Sequence, residues 1–242
     1  MAVGEAGRAR QAVRLPPGFR LTTLREVGDA FAHAQAAAAE LGAGAVVWTR
    51  RFDLAEFAVV LEPDEPLAIA RRAALVGMTA LAEAIASLCP AGIPVAIDWP
   101  CSLRFDRSIV GGGRLAWPEG ASDRRPPDWL VFGVMLRLHA MKEVEPGLHT
   151  MGASLFDAGF DDADSGQLLE AFARHMLGLA DRWARDGFAP VGEAYAQWLA
   201  PSQHEDQGRR WISPSTDDFA ALAASLRRTP DWLDAETGEP KL

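Results

Sequence analysis

Three consecutive glycines, Gly111, Gly112 and Gly113, stand between Arg107 and Arg114 and follow a segment, 93–110, that reads IPVAIDWPCSLRFDRSIV. Glycines in that position leave room for a ligand or another backbone to approach where a side chain would block it; they equally suit a β-bulge. Asp98 and Trp99 close an alternating stretch just upstream, and Cys101 follows Pro100. A cysteine becomes a nucleophile when a base draws off its proton, yet no histidine lies near Cys101 in the sequence, so an inert buried thiol is expected. Of the 24 basic residues only Lys142 and Lys241 are lysines, which confines any chemistry that needs an amine to two positions. Arg50 and Arg51 sit side by side close to Asp53. They fit a solvated turn, with Asp53 pairing one of them, as well as they fit a phosphate contact. His139, His149 and His175 have no carboxylate at an informative spacing. With neither C-x-x-C nor H-x-x-x-H present, no metal site is expected.

The elements that must position these residues can be read from periodicity and punctuation. Val95 and Ile97 alternate with Ala96 and Asp98, as in a half-buried strand, and Pro100 stops it because proline gives no amide to a ladder. A second short strand over 102–105 reverses through Asp106, Arg107 and Ser108, and the returning strand runs through the glycines to 117. Residues 29–41 form an alanine-rich helix with Asp29 as N-cap and Gly42 just past its end. Strands are expected at 45–49 and 57–61, joined by the charged link 50–56, and a long helix runs from Pro66 through 88. The apolar run 129–138 reads as an interior strand, and 141–160 as irregular. Residues 167–185 form an amphipathic helix stopped by Gly187, 191–199 a shorter helix, 201–210 a linker and 217–226 a last helical patch.

Composition narrows the function classes. A chain of 242 residues, 49% hydrophobic, can bury one sizeable core. A net charge of −9 argues against general nucleic-acid binding, so no DNA partner is expected. Apolar runs fall well short of a membrane span, and the first residues lack the apolar core of a signal peptide. With two cysteines only, Cys89 and Cys101, the expectation is a reduced, cytoplasmic setting without membrane contact.

Taken in order, Asp98-Trp99-Pro100, the Gly111–Gly113 edge, the run 130–138 and the phrase Trp183-Ala-Arg-Asp-Gly187-Phe188-Ala-Pro190 resemble the catalytic domain of the biotin/lipoate protein ligases. That resemblance covers roughly 21–200. It implies an α+β fold, a mixed sheet flanked by helices in the class II synthetase-like architecture, with residues 1–20 as an N-terminal tail and 201–242 as an extension. It implies, too, a carboxylic acid such as biotin, lipoate or octanoate, ATP as activator, and a biotinyl or lipoyl carrier domain as acceptor. The family's Gly-Arg loop is reduced here to Arg50-Arg51-Phe52-Asp53-Leu54, and Cys101-Ser102 replace an Asn-Asp pair. No lysine precedes the glycine edge, where the segment reads Asp106-Arg107-Ser108-Ile109-Val110, and Met135 and Arg137 stand for a glycine and an asparagine of the later strand.

Adenylation brings a carboxylate against an α-phosphate, so it needs positive charge and donors preorganised around anions. Arginine supplies charge and a planar fork but not a compact ammonium. The resemblance therefore implies an anionic-ligand pocket near Gly111, Gly112 and Gly113, lined by Arg50, Arg51, Arg107 and Arg114, with Asp98 and Trp99 contributing. Two functions remain open: a divergent binding protein with weak or no ligase activity, and an active ligase or acyltransferase that modifies a carrier lysine. A third, a structural or regulatory partner, would use the aromatic-bearing segment 211–242.

Overall fold

The computed structural model describes residues 12–26, 28–140, 154–203, 210–211 and 214–241. The elements follow in the order β1 (Arg20–Leu24), α1 (Ala30–Leu41), β2 (Ala45–Thr49), β3 (Leu54–Leu61), α2 (Leu67–Ala70) and α3 (Ala73–Leu88). Then come β4 (Val95–Asp98), β5 (Ser102–Phe105), β6 (Ser108–Ala116), β7 (Leu130–Arg137), α4 (Ser165–Asp186), α5 (Ala189–Trp198) and α6 (Thr216–Leu226). The strands form one seven-stranded sheet in the order β1-β2-β3-β7-β6-β5-β4. Only β1 and β2 run parallel; every other neighbouring pair is antiparallel.

This is the mixed, helix-flanked sheet that the resemblance implies, and the short caps behave as the residues dictate. The Asp29 carboxylate accepts the Ala32 N–H at 2.8 Å, and Gly42, at φ 70°, returns its N–H to the Ala38 carbonyl. Ala30, Ala34 and Ala38 then lie on one stripe, small enough to let α1 settle on Val47, Ala58, Val60 and Val131. β7 is buried along its whole length, which is why it reads as an unbroken apolar run. Its other face carries Phe132 and Val134 into the main core, against α3 and the apolar stripe of α4. Gly77 on α3 makes room for the Phe132 ring, since a β-carbon there would lie 2.4 Å from it.

Four boundaries differ from the sequence reading. β1 was not expected at all; it is an edge strand of mostly exposed residues with no alternation to betray it. β3 begins at Leu54 rather than at 57, because the last three residues of the charged link already pair with the end of β7. The helix expected over 66–88 is interrupted at Arg71 and Arg72. Arg71 is drawn under Trp117, 4.5 Å from the ring, and pairs with Asp123 at 2.6 Å, while Arg72 lies over Phe188 at 4.3 Å. Residues 201–203 of the expected linker are helical. Residues 1–11, 141–153 and 204–209, with Lys142 and His149 among them, lie outside the described residues.

The flanking segments dock on the domain. Val13 and Leu15 pack against the main core, and the Arg14 N–H donates to Glu170 at 2.6 Å. Trp211 and Leu222 belong to that core outright, and Trp211 stacks on Trp99 with ring centres 5.1 Å apart. Beyond α6, residues 230–241 fold into a hairpin closed by the bridge between Leu233 and Pro240.

Candidate functional site

The sheet face opposite α3 and α4 is covered by α1 at one end and by the 230–241 hairpin at the other, and the charged residues of the sheet lie between them. Glu56, on β3, is 2% exposed; its carboxylate accepts the Ala30 N–H at 2.7 Å and the Thr49 hydroxyl at 3.1 Å. Burial raises its pKa, opposed by the bond from Ala30. Arg114, on β6, lies with its guanidinium 4.3 Å from the centre of the Phe31 ring. Desolvation lowers its pKa, while the charges of Asp29 and Glu56 oppose that shift. Among the described residues it makes no hydrogen bond or ion pair.

Arg114 borders a cavity of about 470 Å³. Phe31 and Gln35 of α1 form one wall, Trp99, Pro100, Cys101 and Ser102 a second, and Gly113 to Ala116 of β6 the floor. The last wall is the chain from Ser225 to Asp231, with Leu233, and it brings in Arg227 and Arg228. Arg227 rests on Trp117 at 5.2 Å, the ring whose neighbourhood also holds Arg71. Three guanidinium groups, two aromatic faces and one carboxylate, Asp231, thus surround a space of small-ligand size. An anion carried on a flat or apolar body is what such a lining can hold.

The residues singled out from the sequence do not all meet there. Trp99, Gly113 and Arg114 line the cavity. The Trp99 N–H donates to Gln203 at 2.7 Å, and the bond to Pro100 is cis. Asp98 pairs with Arg104 on the adjacent strand. Arg107 is exposed at the β5–β6 turn, where its carbonyl accepts from Arg104. Arg50 is exposed beside Trp48, 5.8 Å from the ring. Arg51 is engaged twice over: its fork grips Asp53 at 2.7 and 3.0 Å, and Nη1 meets Glu239 of the hairpin at 2.7 Å. The bond to Asp53 raises the Arg51 pKa and holds the Asp53 carboxyl below its usual range.

The three glycines have three different neighbours. Gly111, at φ 137°, lies so near the Met135 carbonyl that a β-carbon would approach it to 2.1 Å. At Gly112 a β-carbon would meet the Cys101 carbonyl at 2.0 Å and the Trp232 indole nitrogen at 2.7 Å. At Gly113 it would strike Phe132 and Met78 on the core side. Cys101 is buried, and desolvation pushes its thiol up to about 12, as an inert packing residue requires. His175 has a partner after all, Glu83 on α3 at 2.9 Å, which no local spacing could have revealed. Among the described residues no three histidine, cysteine or acidic side chains gather as metal ligands.

Phe31, Gln35, Ser102, Arg227 and Arg228 were not picked out from the sequence. The adjacent pair Arg227-Arg228 directly after an amphipathic patch and before Pro230 was the available signal. A profile of the Biotin/lipoate A/B protein ligase family matches residues 15–197. The chain belongs to that family. A biotin protein ligase-like protein of unknown function from Silicibacter sp. TM1040 is 30% identical, with 78% of this chain and 81% of that one covered and a TM-score of 0.69. The biotin protein ligase of Aquifex aeolicus shares the fold at 15% identity, over 75% of this chain and 78% of that one, with a TM-score of 0.61. So does that of Leishmania major in complex with biotinyl-5-AMP, at 14% identity over 77% and 83% of the two chains, TM-score 0.53. The comparison with curated protein sequences finds no match. In this family member, the described residues include no helix long and apolar enough to cross a membrane.

Proposed function

We propose that this family member binds a carboxylic acid of the biotin, lipoate or octanoate kind, its adenylate or a nucleotide, in the cavity beside Arg114, with weak or no ligase turnover. The observation that carries this reading is Arg114 itself: a guanidinium stacked on Phe31 beside a cavity of about 470 Å³, with no anion bonded to it among the described residues. A desolvated cation in that setting favours a negatively charged ligand, and a hydrogen bond to a charged group is worth roughly 1.5–3 kcal/mol. Weak turnover follows from the β5–β6 segment, where Arg107 and no lysine precedes the glycines. A guanidinium cannot place one compact charge on an α-phosphate.

The alternative is an active ligase or acyltransferase that joins the acid to a biotinyl or lipoyl carrier lysine through an acyl-adenylate. Family membership favours it, as do solved relatives of the same fold that hold biotin and ATP or biotinyl-5-AMP. Incubation with labelled ATP and each acid separates the two. The binding reading expects pyrophosphate exchange near background; exchange at the pace of an ordinary ligase would replace it with the alternative. A thermal-shift series with the acids, nucleotides and adenylates should raise the melting temperature of the wild type, because a ligand that binds only the folded state stabilises it. Arg114→Ala should weaken that binding by about 10- to 100-fold, and unchanged affinity would remove Arg114 from the site.

A further inference from the structure

We propose that the 230–241 hairpin is an in-cis occupant of the ligand face, which an acid with an apolar body must displace to bind fully. The inference rests on the acid-binding reading above and adds the regulation of that site. Its apolar half is Trp232, 2% exposed, whose indole lies over Gly112, and Leu233, which together pack on Leu54 and Met135. Its polar half is the Glu239 carboxylate on Arg51 at 2.7 Å and two backbone carbonyls, of Pro240 and Lys241, that accept from Arg137 at 2.7 and 2.9 Å. An apolar body joined to anionic and carbonyl acceptors is also the outline of the ligand that such a face would take from solution.

The hairpin is built to move as one piece. Its own bonds close it: Lys241 N–H to the Trp232 carbonyl at 2.7 Å, and Asp234 N–H to the Glu239 carbonyl at 2.8 Å. At the turn the Asp234 carboxylate accepts the N–H groups of Glu236 and Thr237 at 2.8 and 3.0 Å, with Gly238 at φ 72°. None of these bonds involves the sheet. The grip on the sheet comes from packing and from the two arginines, and the buried Trp232 indole N–H finds no acceptor there. An unpaired buried donor carries a desolvation cost that release into water removes. Because Asp231 and Leu233 line the Arg114 cavity, swinging the hairpin out would lengthen that cavity along β6 to Gly112 and release Nη1 of Arg51 for an incoming carboxylate, its other two donors staying on Asp53.

The test measures octanoate and biotin binding by titration calorimetry. It uses the full chain, Trp232→Ala and a chain stopped after Thr229, with circular dichroism to confirm each fold. An apparent affinity is reduced by the fraction of molecules that are open, so both altered proteins should bind at least about ten-fold more tightly than the full chain. A synthetic peptide of residues 230–241, added to the shortened chain, should weaken binding again. Off the sheet a lone two-stranded hairpin is marginally stable in water, so in the full chain saturating acid should speed hydrogen–deuterium exchange of the Lys241 and Asp234 amides. Equal affinities in folded proteins, or hairpin amides that stay protected at saturation, would overturn the inference and leave the ligand-binding reading standing. Where the altered proteins fail to fold, exchange in the full chain decides alone. Absence of binding by either acid to all three proteins would remove the acid-binding reading, and this inference with it.

Discussion

Under α3 and α4 the sheet is sealed by rings: Phe172 lies 5.0 Å from Phe57 and 6.1 Å from Phe132, the second pair nearly parallel at 8°. The opposite face of the same strands carries Glu56, Arg114 and Arg137, roofed partly by α1 and partly by the hairpin. One turn of the strand pleat separates the two environments: Val134 and Leu136 look into the core, while Met135 and Arg137 look the other way. The first face is closed by side chains that need nothing further. The second holds charges whose partners come from α1, from a hairpin more than 90 residues downstream, or, at Arg114, from none of the described residues. The larger apolar cluster lies on one side of the sheet, and the charged contacts lie on the other beside the smaller cluster under α1.

The largest expected effect breaks that contrast if it is mistaken. Phe132→Ala removes a fully buried ring from between Gly77, Gly113 and Phe172, and should cost about 3–5 kcal/mol in urea unfolding. Trp232→Ala deletes a larger side chain that is almost as buried, yet it should cost about 1–2 kcal/mol, because the hairpin opens locally below the global unfolding energy. A loss at Trp232 as large as that at Phe132 would mean that the hairpin belongs to the cooperative core.

The same contrast explains what was legible in the sequence. The sealed face writes itself into local pattern: the run 130–137 and the amphipathic stripe of α4 follow from periodicity. The open face is written in pairs far apart. Arg51 and Glu239 are 188 residues apart and Arg137 and Pro240 are 103 apart, so neither contact leaves a local signal. Arg51 was therefore readable as a ligand contact or a turn ion pair, and the fold gives it Asp53 and Glu239 together. The break between α2 and α3 hides for a like reason, since Trp117, Asp123 and Phe188, which draw Arg71 and Arg72 aside, belong to later segments. β1 had no pattern to find, because its exposed edge imposes no apolar period.

A smaller effect sharpens the comparison through pH, since two carboxylates of the second face titrate in opposite senses. Glu56 has its folded pKa raised above the reference 4.5 by burial. Its contribution to stability is full below 4.5 and is lost as pH rises through the folded value. Asp53 has its pKa lowered from 3.8 by the Arg51 bond, so its contribution is present above 3.8 and disappears as pH falls through the folded value. Glu56→Gln should therefore flatten the decline in unfolding free energy on the alkaline side of 4.5, and Asp53→Asn the decline on acidification below 3.8. For this part-buried pair the second change is on the order of 1 kcal/mol. Denaturant titrations from pH 3 to 8 would read both slopes. A wild-type-like alkaline slope in Glu56→Gln would mean that another group sets it.

The smallest effect concerns a residue at the boundary between the faces. Cys101 lines the Arg114 cavity, but its thiol is buried and pushed up to about 12, so the thiolate that would attack a reagent is scarce near neutrality. Its carbonyl is committed to the Gly113 N–H at 2.8 Å, and Tyr195, also buried, bonds the neighbouring Pro100 carbonyl at 3.0 Å. Those contacts hold the segment in place with no part for the sulfur. In the native chain at pH 8 a disulfide reagent should leave Cys101 unmodified over the hours in which the same chain in denaturant reacts fully. Cys89, half-buried with its thiol also raised by desolvation, should react slowly. Cys101→Ser should then leave binding of an acid or nucleotide unchanged within about two-fold, whereas Arg114→Ala weakens it by about 10- to 100-fold. Fast native labelling of Cys101 that a bound acid blocks would instead assign the sulfur to the ligand, and the cavity wall at 99–102 would become part of the chemistry.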